Sequence, residues 1–257
     1  MQKKKYAVDG RDEVRKFYAD DDLIRQYEET RFSHPVWRLS HQREVAVANG
    51  ILRRSRPTRI LDLALGTGRV SKFLKGFDAG FGMDINQKML LKSRETIHRN
   101  DKANQRWYLV MADAFQLPFK DGSFNAIVAF RFIRHFRYED RKVILQEVRR
   151  VLASGGYFIF EALNENMGDF AIRIAGIDQY RIYDELWGKD SLTREMDEMG
   201  LQIESLWPIL NRFRLLWMVS RGLLKLRLNL FTSIILGMIN QFPSDRFYEW
   251  GVVCQKR

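Results

Sequence analysis

The stretch Ile60-Leu61-Asp62-Leu63-Ala64-Leu65-Gly66-Thr67-Gly68-Arg69-Val70 decides how the rest of the chain is read. It is an apolar strand that ends in a glycine-bearing turn and opens onto a helical segment. Gly66 and Gly68 let backbone N–H groups approach a polar or anionic ligand where a helix N-terminus carries partial positive charge. A glycine pair by itself fits a tight strand-to-helix turn without a ligand equally well, so the surrounding pattern has to decide.

Outward from this turn, short apolar runs alternate with helical segments, the pattern of parallel strands joined by crossover helices. The spacing predicts strands at Arg59–Leu63, Gly80–Met83, Trp107–Met111, Phe124–Phe130 and Tyr157–Glu161, with helices at Val70–Lys75, Gln87–Arg99 and Asp140–Leu152. Gly155-Gly156 supplies permissive backbone after the last of these. A further helix at Asp190–Met199 and strands at Leu201–Leu206 and Tyr248–Cys254 complete the set. The expected fold is α/β: a Rossmann-like three-layer sandwich around a mostly parallel seven-stranded sheet, with N-terminal helices and a helical insertion before the last strand. Residues 1–56 are expected to form an N-terminal helical lid. Residues 57–257 then form the nucleoside-binding domain, with a cap insertion at about 208–245.

Two acids give the glycine turn its meaning, because each ends a successive strand, where open α/β sheets bind ligands. Asp84 follows Phe81-Gly82-Met83 and lies 22 residues after Asp62, the spacing at which a carboxylate accepts both ribose hydroxyls. Asp113 follows Leu109-Val110-Met111-Ala112, placed to accept from an adenine amino group while the Ala114 N–H reaches a ring nitrogen. Singly, each acid reads as a cap or turn residue; in this order they point to a nucleoside. A dinucleotide fingerprint needs Gly or Ala where Ser71 stands, and a P-loop needs Gly-Lys-Ser/Thr where Gly68-Arg69-Val70 stands.

Over Arg59–Leu163 the sequence resembles the class I S-adenosylmethionine-dependent methyltransferases, particularly the small-molecule branch that includes the ubiquinone and menaquinone biosynthesis C-methyltransferases. Four blocks carry the resemblance: Leu61 to Gly68, Gly82-Met83-Asp84-Ile85, Ala112-Asp113-Ala114 with Leu117 to Phe124, and Arg150 to Gly156. It implies S-adenosylmethionine as cofactor. The turn Ala64, Leu65, Gly66, Thr67, Gly68, backed by Asp62, would hold the methionyl part and Asp84 the ribose. Ile85 and Met89 would cover one adenine face, and Asp113 and Ala114 its edge. Ala64 stands where the family usually has its first glycine, Leu65 where a small residue is common, Asn125 where an aspartate is usual, and Ala153-Ser154 where Lys-Pro is frequent.

The resemblance implies methyl transfer by in-line displacement, which needs alignment and exclusion of water and no covalent nucleophile. Phe130-Arg131-Phe132-Ile133-Arg134-His135-Phe136 follows the fourth strand and is expected to face the sulfonium and the acceptor. His135 is the candidate general base or substrate hydrogen-bond partner, against a packing or capping histidine. Arg131 is the candidate partner of a substrate carboxylate or phosphate, against a residue that only closes the pocket. Upstream, Tyr27 and Arg31 lie in a segment resembling the family's lid, where they would approach the methionine carboxylate. No Asn-Pro-Pro-Tyr type motif is present, which argues against exocyclic base amines as acceptors.

The chain has 257 residues, of which 46% are hydrophobic, enough for one sizeable core. Its single cysteine, Cys254, cannot staple the fold, and the four histidines are too scattered for a zinc pattern, so neither disulfide nor metal is expected. The N-terminus is basic without an apolar core segment, so a cytoplasmic location is expected. A formal charge of +11 calls for an acidic partner without choosing among nucleic acid, anionic lipid and small acidic substrates. Seven arginines between Arg31 and Arg59 accompany one glutamate, Glu44, and read as solvated helix faces. The apolar and basic insertion 211–241 suits a cap helix, a lid over an apolar substrate, or an amphipathic helix on an anionic membrane. Three functions are consistent with these residues: methylation of a small or lipid-like molecule, an RNA methyltransferase supported by charge alone, and a cofactor-binding protein without turnover. Oligomeric state and acceptor atom leave no trace in the sequence.

Overall fold

Apolar residues alternate along each central strand, and both of the faces they define are buried. In a computed structural model, which describes residues 8–20, 33–98, 106–167, 170 and 182–257, the strands β1 (Arg59–Leu63), β4 (Phe124–Ala129), β5 (Leu152–Asn164) and β8 (Glu249–Lys256) form the middle of one sheet. Leu61, Leu63, Ile127, Ala129, Phe158 and Phe160 pack on one side, while Ile60, Ala126, Val128, Ile159 and Val253 pack on the other. Side chains of period two facing two helical layers are what a doubly covered parallel sheet requires.

The remaining strands are β2 (Ala79–Asp84), β3 (Arg106–Met111), β6 (Leu186–Trp187) and β7 (Leu201–Ile209), and the order is β3-β2-β1-β4-β5-β8-β7. All neighbours pair in parallel except β8, which runs antiparallel to both β5 and β7. The two-residue β6 pairs with the end of β5, so the expected seven strands gain a short eighth beside the main path.

Helix α1 (Arg11–Tyr18) precedes the long α2 (Pro35–Ser55). His34 caps α2 by accepting the Val36 N–H on Nδ1, and the chain leaves it through Arg56 in the left-handed region. Ala48, Ile51 and Leu52 of α2 pack into the core under β1 and β4, so this part of the N-terminal segment is a layer of the sandwich. On the opposite face lie α4 (Tyr138–Val151) and α5 (Lys189–Glu198), burying Ile144, Leu145, Val148, Leu192 and Met196. Helix α3 (Gln87–His98) covers Leu65 and Leu109 with Leu90 and Ile97.

Two expectations are corrected. Val70–Lys75 is not an α-helix; only Ser71–Phe73 forms a 3-10 turn. Asn49 of α2 takes the groups that would have continued it, donating to the Phe73 carbonyl at 2.9 Å and accepting the Lys75 N–H at 2.8 Å. Strand β5 also begins at Leu152 rather than Tyr157, with a register shift opposite Phe124 and Ala126 that absorbs Gly155 at φ +71°.

The insertion between β7 and β8 is two short helices, α6 (Phe213–Lys225) and α7 (Asn229–Asn240), seated on α2 and the end of β5 through Phe213, Leu216 and Leu236. Among the described residues no helix is long and apolar enough to cross a membrane.

Candidate functional site

The chain leaves β1 toward β2 on one side, and β4 pairs on the other, so a crevice opens at their carboxyl ends. A cavity of about 1040 Å³, counting its open mouth, occupies it. Asp62, Ala64, Leu65, Gly66, Thr67, Asp84, Ile85, Met89, Asp113, Ala114 and Phe130 all line this cavity, as do Arg131 and His135. Asp84 and Asp113, 29 positions apart in the chain, thus face one space. Tyr27 and Arg31 lie outside the described residues.

The turn after β1 is built from left-handed backbone: Ala64 at φ +58°, Gly66 at +58° and Gly68 at +75°. Gly68 does not line the cavity. A Cβ there would come within 3.1 Å of the Ser93 side chain, so this glycine lets α3 approach the turn. Asp84 fastens the turn to β2, accepting the N–H groups of Gly66 and Asn86 at 2.9 Å each. Burial pushes its carboxyl pKa up, against the backbone N–H groups of Asn86, Gly66 and Ile85. Behind the turn, Asp62 is buried and accepts the Ser71 hydroxyl; burial raises its pKa to about 7. Thr67 is buried in the cavity wall, and its hydroxyl has no hydrogen-bond partner among the described residues. An unmade hydrogen bond of this kind costs roughly 1–3 kcal/mol, which a ligand that supplies the partner would recover.

Asp113 is held from two sides. Its Oδ1 accepts the Phe115 N–H at 3.0 Å, and its Oδ2 lies 2.5 Å from Arg11 Nη2 and 2.7 Å from Arg15 Nη2. Burial alone would raise its pKa; the Phe115 N–H and the two guanidinium groups outweigh that and lower it. Both arginines belong to α1, whose Val14 and Tyr18 also line the cavity. Val14, Phe17 and Tyr18 recur at the i, i+3, i+4 spacing of one helical face, but nothing local says which surface it covers.

His135 is buried in a 3-10 turn after β4. Its Nδ1 lies 3.1 Å from the Tyr183 carbonyl and 2.9 Å from Asp184 Oδ1, while Nε2 meets the Tyr18 hydroxyl at 3.2 Å. A carbonyl can only accept, so Nδ1 carries a proton; in the neutral ring Nε2 then offers its lone pair to the Tyr18 hydroxyl. Arg131 sits at φ +58°, its N–H donating to the Glu161 carboxylate at 2.6 Å. Its guanidinium is not presented to solvent: the side chain is 7% exposed and lies 3.3 Å from Glu44 Oε1.

Glu44 is the hub that charge counting misses. The lone acid of the arginine-rich segment is fully buried, paired with Arg131 and, at 3.1 Å, with Arg69. Burial would raise its pKa, but Arg131, Arg69 and His41 hold it well below the usual range. Beside it, Arg134 reaches Asp184 at 3.0 Å and Glu161 and Glu249 at 3.8 and 3.9 Å. Burial pushes the pKa values of Glu161 and Glu249 upward. This network underlies the cavity floor. The one signal for it in the sequence is a single glutamate among arginines, which a solvated helix face explains equally well.

Residues 61–160 match the family described as methyltransferase domain. This stretch is similar to methyltransferase domains. The strand order agrees with that likeness, and the fold is that of the class I methyltransferases. The chain is similar to a demethylmenaquinone methyltransferase of Thermotoga maritima, 37% identical over 136 residues, covering 51% of this chain and 53% of the relative. A ubiquinone/menaquinone biosynthesis C-methyltransferase of Wigglesworthia glossinidia brevipalpis is 32% identical over 131 residues, 49% of this chain and 50% of the relative. The chain therefore spans about half the length of the curated relatives it matches. Among solved structures, magnesium protoporphyrin IX methyltransferase from Synechocystis PCC 6803 with bound SAH superposes with a TM-score of 0.65 at 10% identity, over 95% of this chain and 98% of that one. The same enzyme with bound SAM gives 0.61 at 12% identity, over 95% of each chain. At such identities the likeness is one of fold, and it extends well beyond residues 61–160.

Proposed function

We propose that this chain binds S-adenosylmethionine in the cavity at the carboxyl ends of β1, β2 and β4 and transfers its methyl group to a small-molecule or lipid-like acceptor. The observation that carries this reading is the convergence of Asp84, Asp113 and the Ala64–Thr67 turn on one cavity. The unpartnered Thr67 hydroxyl adds a polar group waiting for a ligand. When bound, the cofactor supplies an electrophilic methyl group whose leaving group departs neutral.

In this reading Asp84 holds the ribose, Ile85 and Met89 cover one adenine face, and Asp113 with Ala114 meets its edge. Thr67 and the turn hold the methionyl part, with Tyr27 and Arg31 contributing from the lid. Helix α1 is the described part of that lid. Apolar walls from Val14, Phe115, Phe132 and Phe136 keep water from the reacting atoms. His135 Nε2 takes a proton from an acceptor that must lose one, with Tyr18 as the intervening hydroxyl. Arg131 shapes the wall and, given its pairing with Glu44, positions rather than binds.

The names of the quinone-type relatives favour an apolar small-molecule acceptor over RNA, for which overall charge alone speaks. A bilayer-dissolved acceptor would bring the enzyme to a membrane surface, and residues 211–241 have the composition for such contact. Calorimetry with S-adenosylmethionine tests the core of this reading. Asp84→Ala should weaken binding by about 100-fold, the loss of a charged hydrogen-bond acceptor for two hydroxyls. Unchanged affinity removes Asp84 from the site. Radiolabelled cofactor incubated with fractionated extract then reports whether label enters the lipid, RNA or polar pool.

A further inference from the structure

Strand β8 is antiparallel to both its neighbours, so β7 runs in the direction of β5, β4 and β1. The end of β7 at Ile209 therefore lies at the same end of the sheet as the cavity, three strand spacings or about 14 Å to the side of β4. From that end project α6 and α7.

Their outer surface gathers exposed large apolar side chains. Met218, Leu226, Phe231, Ile234, Met238 and Phe242 are each 57–69% exposed. On α7 the exposed Phe231, Ile234 and Met238 follow one helical face, while Thr232, Leu236 and Asn240 are buried on the other. From Ser205 through Ser244 there is no Asp or Glu, but Arg212, Arg214, Arg221, Lys225 and Arg227 fall within this run. All five cations are exposed.

We infer that this face of α6 and α7 lies in the headgroup region of an anionic bilayer and turns the mouth of the cavity toward the lipid. At 13 and 12 residues the helices are about 20 Å and 18 Å long, too short to span a hydrocarbon core of about 30 Å but suited to lying in its interface. The charge selects the occupant. Two copies of this face would bring ten like charges together, whereas anionic headgroups neutralise them while the apolar side chains enter the acyl boundary. The inference rests on the proposed lipid-like acceptor for its purpose, and on the exposed face itself for its geometry.

Vesicle flotation tests it, with phosphatidylcholine alone and mixed with phosphatidylglycerol. The chain should float with the mixed vesicles and not with the neutral ones, and high salt should release it. Arg221→Gln, Lys225→Gln and Arg227→Gln combined should lower partitioning roughly a hundredfold. Phe231→Ser with Ile234→Ser, exposed changes that spare the core, should also abolish flotation. Absence of flotation, or flotation indifferent to lipid charge, overturns the inference. So does a concentration-dependent dimer in sedimentation velocity that the Phe231→Ser, Ile234→Ser variant abolishes, because a second copy would then cover the face. Calorimetry on the same samples separates the two readings: a chain that binds S-adenosylmethionine but no vesicles sinks the docking alone, and the converse sinks the cofactor reading alone.

Discussion

The hydroxyl of Tyr18 stands 3.2 Å from Nε2 of His135, joining the first helix to a residue 117 positions away at the inner wall of the cavity. This contact separates two roles for the histidine. His135→Asn should leave cofactor affinity within about threefold, because the ring is not among the groups assigned to the adenosyl moiety, an energy difference under 1 kcal/mol. Label transfer to the acceptor pool should fall by about 100-fold, the usual size of a lost acid–base contribution. Tyr18→Phe should cost about 1 kcal/mol of stability in urea titration, as for one part-buried hydrogen bond. Full label transfer by His135→Asn would leave it a packing residue.

Arg11 and Arg15 hold the carboxylate that the proposed site offers to adenine. Replacing both with alanine should release α1 from Asp113 and speed dissociation of S-adenosylhomocysteine in stopped-flow measurements by about tenfold. Both arginines are 44% exposed, so salt should reproduce part of the effect in the unmodified chain. A dissociation rate indifferent to both variant and salt would mean that α1 does not gate the cavity.

Ala64 occupies left-handed backbone that costs a residue with a Cβ roughly 1–2 kcal/mol. Ala64→Gly removes that strain and adds unfolded-state entropy of about 0.4–1 kcal/mol, so the net change should lie between neutral and about 1.6 kcal/mol stabilising. Ala126→Gly, in the middle of β4, should instead destabilise. Thermal unfolding of the two variants distinguishes backbone strain from a general intolerance of glycine.

Asp62 has a folded-state pKa of about 7, raised by burial above its ordinary value of 3.8. An acid raised on folding favours the folded state while protonated in it, so its contribution is full below about pH 4 and is lost as pH rises through 7. Stability should therefore decline between about pH 4 and 7 by at most roughly 1.4 kcal/mol per pH unit for this group, and level off above that. Asp62→Asn should flatten the decline, leaving the part due to Glu161 and Glu249, whose pKa values burial also raises. An identical pH profile for the variant would rule out Asp62 as a contributor.

The strands were legible because burial on both faces leaves little freedom of composition: Ile60 to Leu63 and Phe124 to Ala129 are nearly continuous apolar runs. The two acids at strand ends were legible because strand termini fix where a side chain emerges. What escaped were relationships across the chain. Asn49 cuts short the helix after Gly68 from 26 residues upstream of Lys75, and no local propensity contains that bond. Arg11 and Arg15 reach Asp113 across about a hundred positions, and Glu44 reads as surface until Arg69 and Arg131 arrive beside it. Gly68, quoted among the ligand-facing residues, instead serves the approach of α3.

The double pairing of Glu44 sets a lower limit on how small a working fragment can be. A chain begun at Arg59 would retain every strand and the whole stretch shared with the methyltransferase family. It would also strand the guanidinium groups of Arg69 and Arg131 beneath the cavity with their common counter-charge gone, and strip the apolar cover of α2 from one side of the sheet. Such a fragment should expose that side and fail to organise a binding site, so trimming to the segment shared with the family would discard the part on which the binding floor is built.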